Sequence, residues 1–482
     1  MDVIHLLLAA LPIALIAGLL ALRVKPVPAV LGTIAVTLAL SIWFPITPAA
    51  LESTAHSLLL LTVAVVLIIF GGILLAEFLA VSGAQERIGG WLGSASHGRD
   101  RAVLLLGLGV TPLAESIIGW GVGVIIGIPL LMRVGLTATK AATIGLLSIV
   151  LAPWGSLGPG LLVMAEMSGH SLRDVGVWSA VLNLPVLLVM GIIMSIVGMG
   201  RRGALRMAGE TLTVVFATWG ALIATNAWVS VPLGGILASL AACVTVLLLA
   251  RLRGGPIPAM RRETVRSLLP YILLIGAMLA MTALTSVVDL GAASAVLTSP
   301  ALWLLVSAAA APALLGIGRA DATASIRSGL RLFWPVCVVT VLFIVFGGLL
   351  AANGMSTTLA QGAAMLGGGF LLVVPAIGLI GGYVTASNTA TAAMFAAGVS
   401  NATVALGANP LVALGAQNIA TGAAVMISPS RVALALSVAN GLRRDTDAAV
   451  DAGRVIRTAL IANGVVLVLL APLTLLLATA TG

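Results

Sequence analysis

Charge is the first thing this chain lacks. Of its 482 residues only 8% are charged while 60% are hydrophobic, and the mean hydropathy is +1.21. A soluble domain carries roughly a quarter charged residues, so a large soluble core is excluded. Cysteine is nearly absent too: Cys243 and Cys337 both sit inside apolar runs, which excludes a disulfide framework and a cysteine metal site. Aromatic residues make up 4%, and a single one, Trp91, falls within the basic stretches. A nucleic-acid surface needs stacking groups beside its cations, so the net charge of +9 does not point to one. Cys₂His₂ spacing, a phosphate-binding Gly-Lys-Ser, a Gly-x-Ser-x-Gly elbow and a His-Glu-x-x-His pair are all missing. With no nucleophile–base pair and no metal set, neither an enzyme nor a cofactor is expected.

What the chain has instead is apolar runs of about 20 residues from end to end, the mark of a polytopic helical membrane protein. Spans are expected near 5–22, 28–45, 57–81, 138–165, 176–199, 211–229, 231–250, 268–288, 296–316, 332–352, 410–440 and 455–479. The first run has no basic residue before it, and Arg23 and Lys25 follow it. That favours an uncleaved first span over a signal peptide, with the N-terminus outside. The C-terminus is then expected outside as well. Basic residues cluster at 23–25, 87–101, 201–206, 251–266, 319–331 and 443–457, separated by sparsely charged connections such as 46–56 and 353–363. This alternation sets orientation without any binding partner.

Two segments, 102–132 and 364–400, are long for one crossing and short for two, and small or polar residues break each near its middle. As re-entrant hairpins they leave every basic cluster inside, with Arg133 and Lys140 beside them. As single crossings they break the alternation. A shift of 270 residues also lays the first half on the second, so that Gly145 meets Gly415, Ile149 meets Ile419 and Pro159 meets Pro429. The two units begin on opposite sides, which makes an inverted-topology repeat, a common carrier construction. The expected fold is all-α, with about 12 transmembrane helices plus two re-entrant hairpins. The first repeat covers 1–205, linking spans and a basic inner loop cover 206–266, and the second repeat covers 267–482.

Four interrupted segments carry the polar residues: Glu115 to Gly121, Pro153 to Gly160, Thr385 to Thr391, and Gln417 to Arg431. Non-helical backbone at membrane depth survives only inside protein or along a wet cavity. Broken helices leave free N–H groups and positive dipole ends that suit an anion. Glycine and proline also serve plain packing, and Glu115 reads either as a coupling acid or as a hairpin brace bonded to backbone N–H groups. Trp120 and Trp154 read equally as pocket walls or interfacial anchors. Glu166, His170, Arg173 and Asp174 read as a solvated outer connection rather than a proton path. Arg431 stands about ten residues, roughly 15 Å of helix, from the inner end of its span and needs an anion there: a fixed acid such as Glu115, or the substrate.

Glu115…Gly119-Trp120-Gly121, Thr385-Ala386-Ser387-Asn388-Thr389 and Met426-Ile427-Ser428-Pro429 resemble the lactate permease family, in the same order and over most of the chain. The resemblance implies uptake of lactate, and in some members glycolate, with protons across the bacterial inner membrane. Ser387-Asn388-Thr389 is more loosely similar to the hairpin tips of sodium-coupled dicarboxylate carriers, which move as elevators. This chain departs from the family pattern with Asn388 in place of an acid and Val425 in place of a lysine, and Arg431 stands near enough to supply a cation. A proton-coupled secondary transporter of a small organic anion is thus expected, a lactate- or glycolate-type 2-hydroxy monocarboxylate. The alternatives are a sodium-coupled carboxylate transporter and a channel-like pore for a small solute. Substrate contacts are expected from Ser387, Asn388, Thr389, Ser428, Arg431, Ser116, Gly119, Gly121 and Ser156, and ion coupling from Glu115, Asn388 and Thr385. The expected partners are the carboxylate with its coupling ion, the lipid bilayer and a second copy of the chain in a homo-oligomer.

The charge pattern yields a direct test of the first hairpin. Single cysteines at Arg99 and Lys140, in a background lacking Cys243 and Cys337, should show the same accessibility to a membrane-impermeant thiol reagent. Labelling of only one of them from outside eliminates the hairpin and the inverted repeat built on it.

Overall fold

The computed structural model describes residues 3–255, 258–443 and 448–482. Arg444 of the last basic cluster and the first two residues, at the terminus expected outside, fall beyond the described residues. The described chain is all-helical, without a strand. Ten helices are long and apolar enough to cross a membrane, and four shorter apolar ones accompany them, Pro26–Ile42, Val122–Arg133, Pro300–Leu315 and Gly369–Thr385. The count differs from the expected twelve for reasons of length. The runs 28–45 and 296–316 fold as short helices, and 138–165 breaks into Ala138–Leu147 and Pro159–Ser168. The first leg of the 102–132 segment, Arg99–Ile118, is itself of spanning length.

Two connections prove to be helical. The 353–363 stretch holds the helix Met355–Ala364, and the basic stretch after 84 holds Ala84–Ala95. Both are too short and too polar to show in a hydropathy pattern tuned to spans. The helix Pro48–Val81 starts well before residue 57, because Thr47 caps it by accepting the Ala50 N–H and Pro48 needs no N–H partner in its first turn. Pro48–Val81 and Arg319–Ala352 have 34 residues each, about 50 Å of helix, and pack along one another.

In each segment expected as a hairpin the two legs pack against one another. In the first, Gly123 and Gly127 of the returning leg lie on Thr111 of the outgoing leg. In the second, Gly381 of Gly369–Thr385 lies on Thr391 of Asn388–Ala405. The broken spans then pack crosswise between the halves. Pro159–Ser168 lies on the second hairpin's Asn388–Ala405, and Pro429–Gly441 lies on the first hairpin's Val122–Arg133. Likewise Leu172–Leu182 meets Pro410–Val425, and Ala452–Ala480 meets Ala138–Leu147.

Several basic loops meet. Arg101 makes a two-pronged pair with buried Glu210 at 2.8 and 3.0 Å, and Arg253 reaches the same carboxylate at 3.1 Å. Arg206 pairs with Asp100 at 2.7 Å, and the Trp91 indole N–H donates to the Pro258 carbonyl. These contacts place the 87–101, 201–206 and 251–266 clusters at one end. At the far connection Glu166 accepts from Ser57 and His170 lies 3.0 Å from Ser400. Those side chains tie helix ends together instead of standing free. Cys243 and Cys337 are both free and buried.

Backbone-on-backbone packing holds the interior. A Cβ on Gly378 would run into the Gln417 carbonyl, and one on Gly382 into the Thr421 carbonyl. Such contacts let Gly369–Thr385 and Pro410–Val425 approach as only small residues allow. Gly378→Ala and Gly382→Ala should each lower stability by about 1–3 kcal/mol, the usual penalty for overpacking. Gly220→Ala, where no atom lies within 4 Å, should leave the melting temperature unchanged or raise it slightly. Thermal unfolding in detergent, followed by intrinsic fluorescence, checks the contrast.

Candidate functional site

Each of the four interruptions ends one helix and begins another. The new helices begin at Val122, Pro159, Asn388 and Pro429. The turns before them are tight. Gly119, Trp120 and Gly121 have φ of 77°, 60° and 86°; Ser156, Leu157 and Gly158 have 52°, 59° and 74°; Ala386 has 54°. Non-glycine residues rarely adopt this left-handed region. Four of the six described ones that do are Trp120, Ser156, Leu157 and Ala386, so strain gathers at these breaks, as it does at functional sites.

The breaks converge. Glu115, Gly119 and Trp120 from the first, Gly155, Ser156, Pro159 and Gly160 from the second, Ser387, Asn388 and Thr389 from the third, and Val425 with Arg431 from the fourth line one small cavity of about 60 Å³. Residues 179 and 418, and the 388 amide, tie the far side together. Asn388 donates to the Asn418 carbonyl and side-chain oxygen at 3.2 and 3.0 Å, and Asn418 donates to Ser179 at 3.0 Å. Gly160 admits Asn388, whose Cβ would stand 2.9 Å from any side chain there.

Glu115 is 4% exposed and has a defined task in the fold. Its carboxylate accepts the Gly121 N–H at 3.0 and 3.1 Å and the Gly123 N–H at 3.1 Å. These are orphan donors at the start of Val122–Arg133, and a carboxylate also complements the positive end of that helix. The hairpin tip is thus braced from within. Arg431 approaches the same carboxylate, with Nη2 3.9 Å from Oε1, and lies so close to Gly121 that a Cβ there would strike Nη1. The pair explains how each charge is tolerated inside the protein.

Donors remain unpaired around the cavity. Trp120 Nε1, Ser156 Oγ and Arg431 Nε are buried without a hydrogen-bond partner among the described residues. Buried polar groups are nearly always satisfied by protein or by something bound, and two donors beside a guanidinium with its own free N–H suit an anion's oxygens. The helices that begin at Pro159 and Pro429 have no side-chain cap bond, whereas Ser387 caps Asn388–Ala405 by accepting the Ala390 N–H.

Of the expected contact residues, Ser387, Asn388, Thr389, Arg431, Gly119, Ser156 and Glu115 line the cavity. Ser116, Gly121, Thr385 and Ser428 stand back from it. Thr385 bonds within its own tip, to the Gly381 and Ser387 carbonyls, and Ser428 donates to the Val425 carbonyl. Ser116 faces Gly235. Trp120 is a cavity wall. Trp154 is fully buried and donates to Asn226 at 3.1 Å, so it is not an interfacial anchor. Asn226 and Ser179 were not singled out from the sequence, since a lone Asn or Ser in an apolar run carries no pattern.

With ten helices of spanning length among the described residues, the chain is a multi-pass membrane protein. The L-lactate permease family profile matches residues 5–267 and 266–478. An L-lactate permease from Streptococcus iniae is 23% identical over 361 residues, covering 69% of this chain and 76% of that relative. The chain belongs to the L-lactate permease family, and is a transporter rather than an enzyme.

The buried pair gives a stability prediction. Removing one partner of a buried ion pair costs about 3–5 kcal/mol, and the 3.9 Å separation points to the lower end. Arg431→Met should therefore lower the unfolding free energy by about 3 kcal/mol, and Glu115→Gln in the same chain should restore part of it. A double-mutant cycle from denaturant unfolding in detergent checks this, and wild-type stability of Arg431→Met alone rejects the pairing.

Proposed function

We propose that the cavity binds a lactate- or glycolate-type 2-hydroxy monocarboxylate and that the protein carries it with a proton across the bacterial inner membrane, with both termini outside. The single observation that carries this is the meeting of one acid, one guanidinium and two further unpartnered donors, Trp120 and Ser156, where all four interrupted segments converge. The substrate carboxylate binds Arg431, and Ser156 and Trp120 donate to its remaining oxygens. The 2-hydroxyl faces Ser387, Asn388 and Thr389 at the second hairpin tip. Ser116, Gly119, Gly121, Thr385 and Ser428 shape the turns that hold these groups.

Charge balance supports proton coupling. Among the described residues Glu115 and Arg431 are the only charged ones in the lining, and together they sum to zero. A bound monoanion leaves the site at minus one, which is unfavourable to carry through a bilayer. One proton taken up on Glu115 restores neutrality and releases Arg431 to the substrate. One proton per monocarboxylate is then the natural stoichiometry. Val425 stands where the family has a lysine and shares the cavity with Arg431, which supports a substituted cation. The backbone-close packing of hairpins and broken spans into one unit supports movement as a body against its surroundings, an elevator.

Uptake of labelled lactate, glycolate and a dicarboxylate into proteoliposomes, under imposed proton or sodium gradients, tests the proposal. Saturable accumulation of the two hydroxy acids on a proton gradient is expected. Flux without saturation indicates a pore, and drive by sodium alone indicates a sodium carrier; either outcome overturns the proton symport. Arg431→Lys should raise the Km several-fold, because lysine cannot reproduce the guanidinium fork. Glu115→Gln should still exchange substrate yet lose pH-driven accumulation, and undiminished accumulation assigns Glu115 to bracing alone.

A further inference from the structure

The first hairpin has a second cavity behind it, on the opposite side of its outgoing leg. Val110, Leu113 and Ile117 of that leg face Ile88 and Leu92 of the short helix Ala84–Ala95 and Ile275 of Arg262–Val287 across a space of about 380 Å³. The lining is apolar except for Gln85 and Tyr271. Gln85 is 8% exposed and its Nε2 has no partner among the described residues. An amide N–H buried in an apolar groove without an acceptor is costly. Tyr271 beside it bonds the Gln85 side chain, and an acceptor oxygen at one end of an otherwise hydrocarbon ligand would take the N–H that stays unpaired.

The surroundings say which ligand. Arg262–Val287 is little covered by protein, with Leu269, Ile272 and Leu284 turned outward, so the groove borders the lipid. Arg87 follows Gln85 by two residues, and Arg261, Arg262 and Arg266 stand at the start of Arg262–Val287, with Glu86 and Glu263 among them; Arg266 donates from Nε to the Leu314 carbonyl. Arg87 Nε donates to Ser267 at 2.9 Å and so ties the short helix to Arg262–Val287 at this end of the groove. The net balance is positive. In the other half, the corresponding place is filled by protein: Leu6 of Val3–Ala21 sits on Gly362 of Met355–Ala364, so closely that no Cβ fits.

We infer that this groove binds an anionic phospholipid, one acyl chain lying between the hairpin leg and Arg262–Val287. An ester or phosphate oxygen accepts from Gln85 Nε2, and the headgroup lies among the arginines, as basic pockets between membrane helices hold anionic lipids. The chain packs on Ala114 and Ile117, the residues on either side of Glu115–Ser116, and so supports the leg that carries the brace. The inference is independent of what the central cavity transports.

Gly276 lines the groove with no atom within 4 Å of where its Cβ would stand, so a side chain there fills the space without a clash. The test uses the full chain purified in mild detergent, wild type, Gly276→Phe and Gln85→Leu, probed with palmitoyl-oleoyl phosphatidylglycerol and with the matching phosphatidylcholine. Wild type should retain one phospholipid by native mass spectrometry. Its melting temperature should rise more with phosphatidylglycerol than with phosphatidylcholine. Gly276→Phe should melt like delipidated wild type and lose both retention and the shift, and Gln85→Leu should weaken them. Retention by Gly276→Phe equal to wild type, or no retention by wild type, overturns the site. Equal shifts from the two lipids overturn the anionic headgroup.

Discussion

Three backbone N–H bonds to one carboxylate hold the central arrangement together. A hairpin that turns inside a membrane protein exposes peptide groups that no water reaches, and each must find a partner within the fold. Glu115 supplies one for the Gly121 and Gly123 N–H groups, which closes the tip with Trp120 held in a left-handed conformation. The acid so placed needs a counter-charge, and Arg431 comes from the other half of the chain to give it. The first hairpin is therefore joined to the second broken span by charge as well as by packing. A single buried side chain thus sets a turn, a pairing between halves and the electrostatics of the cavity.

Glycine does the complementary work. Gly123 against Thr111, Gly160 against Asn388, and Gly378 and Gly382 against the Pro410–Val425 backbone bring main chains into contact where a hydrocarbon solvent offers no driving force for helices to associate. Such contacts are unforgiving of shear within the unit. The helices Val3–Ala21, Arg262–Val287 and Ala452–Ala480 are far less covered by protein. A division into a rigid polar interior and a lipid-facing exterior is what carriage of a solute as a body would need.

Much of this was legible in the sequence because membrane burial leaves few reasons to interrupt an apolar run. Pro159 and Pro429, each at the first position of a new helix, stood out against their surroundings, as did Glu115 and Arg431. The amphipathic helices Ala84–Ala95 and Met355–Ala364 did not, since ten to twelve residues of mixed polarity look like a connection. The helix starts at Pro48 and Arg319 were hidden for a related reason: helices of 34 residues continue beyond the apolar stretch that marks the membrane. Four expected contact residues missed the cavity because a motif gives adjacency along the chain, whereas side-chain direction changes by about 100° per residue in a helix. Ser116 follows Glu115 and faces Gly235 instead.

The two halves also differ in a way that bears on coupling. Both cavity charges, Glu115 and Arg431, sit on segments related by the crosswise packing, yet each half contributes only one of them. The other two breaks are neutral: Asn388 stands at the second tip, and the first broken span offers Ser156. A site with one titratable acid has one place for a proton. If the second tip carried an acid as well, the empty site would hold a net negative charge and a monoanion would need two protons or a cation to enter. With Asn388 already donating to Asn418, that tip is committed to neutral hydrogen bonding. Under the proposed proton symport the coupling acid is Glu115, and this residue cannot release its N–H partners without loosening the tip. In that proposal, protonation of the acid and loosening of the backbone it holds would be one event.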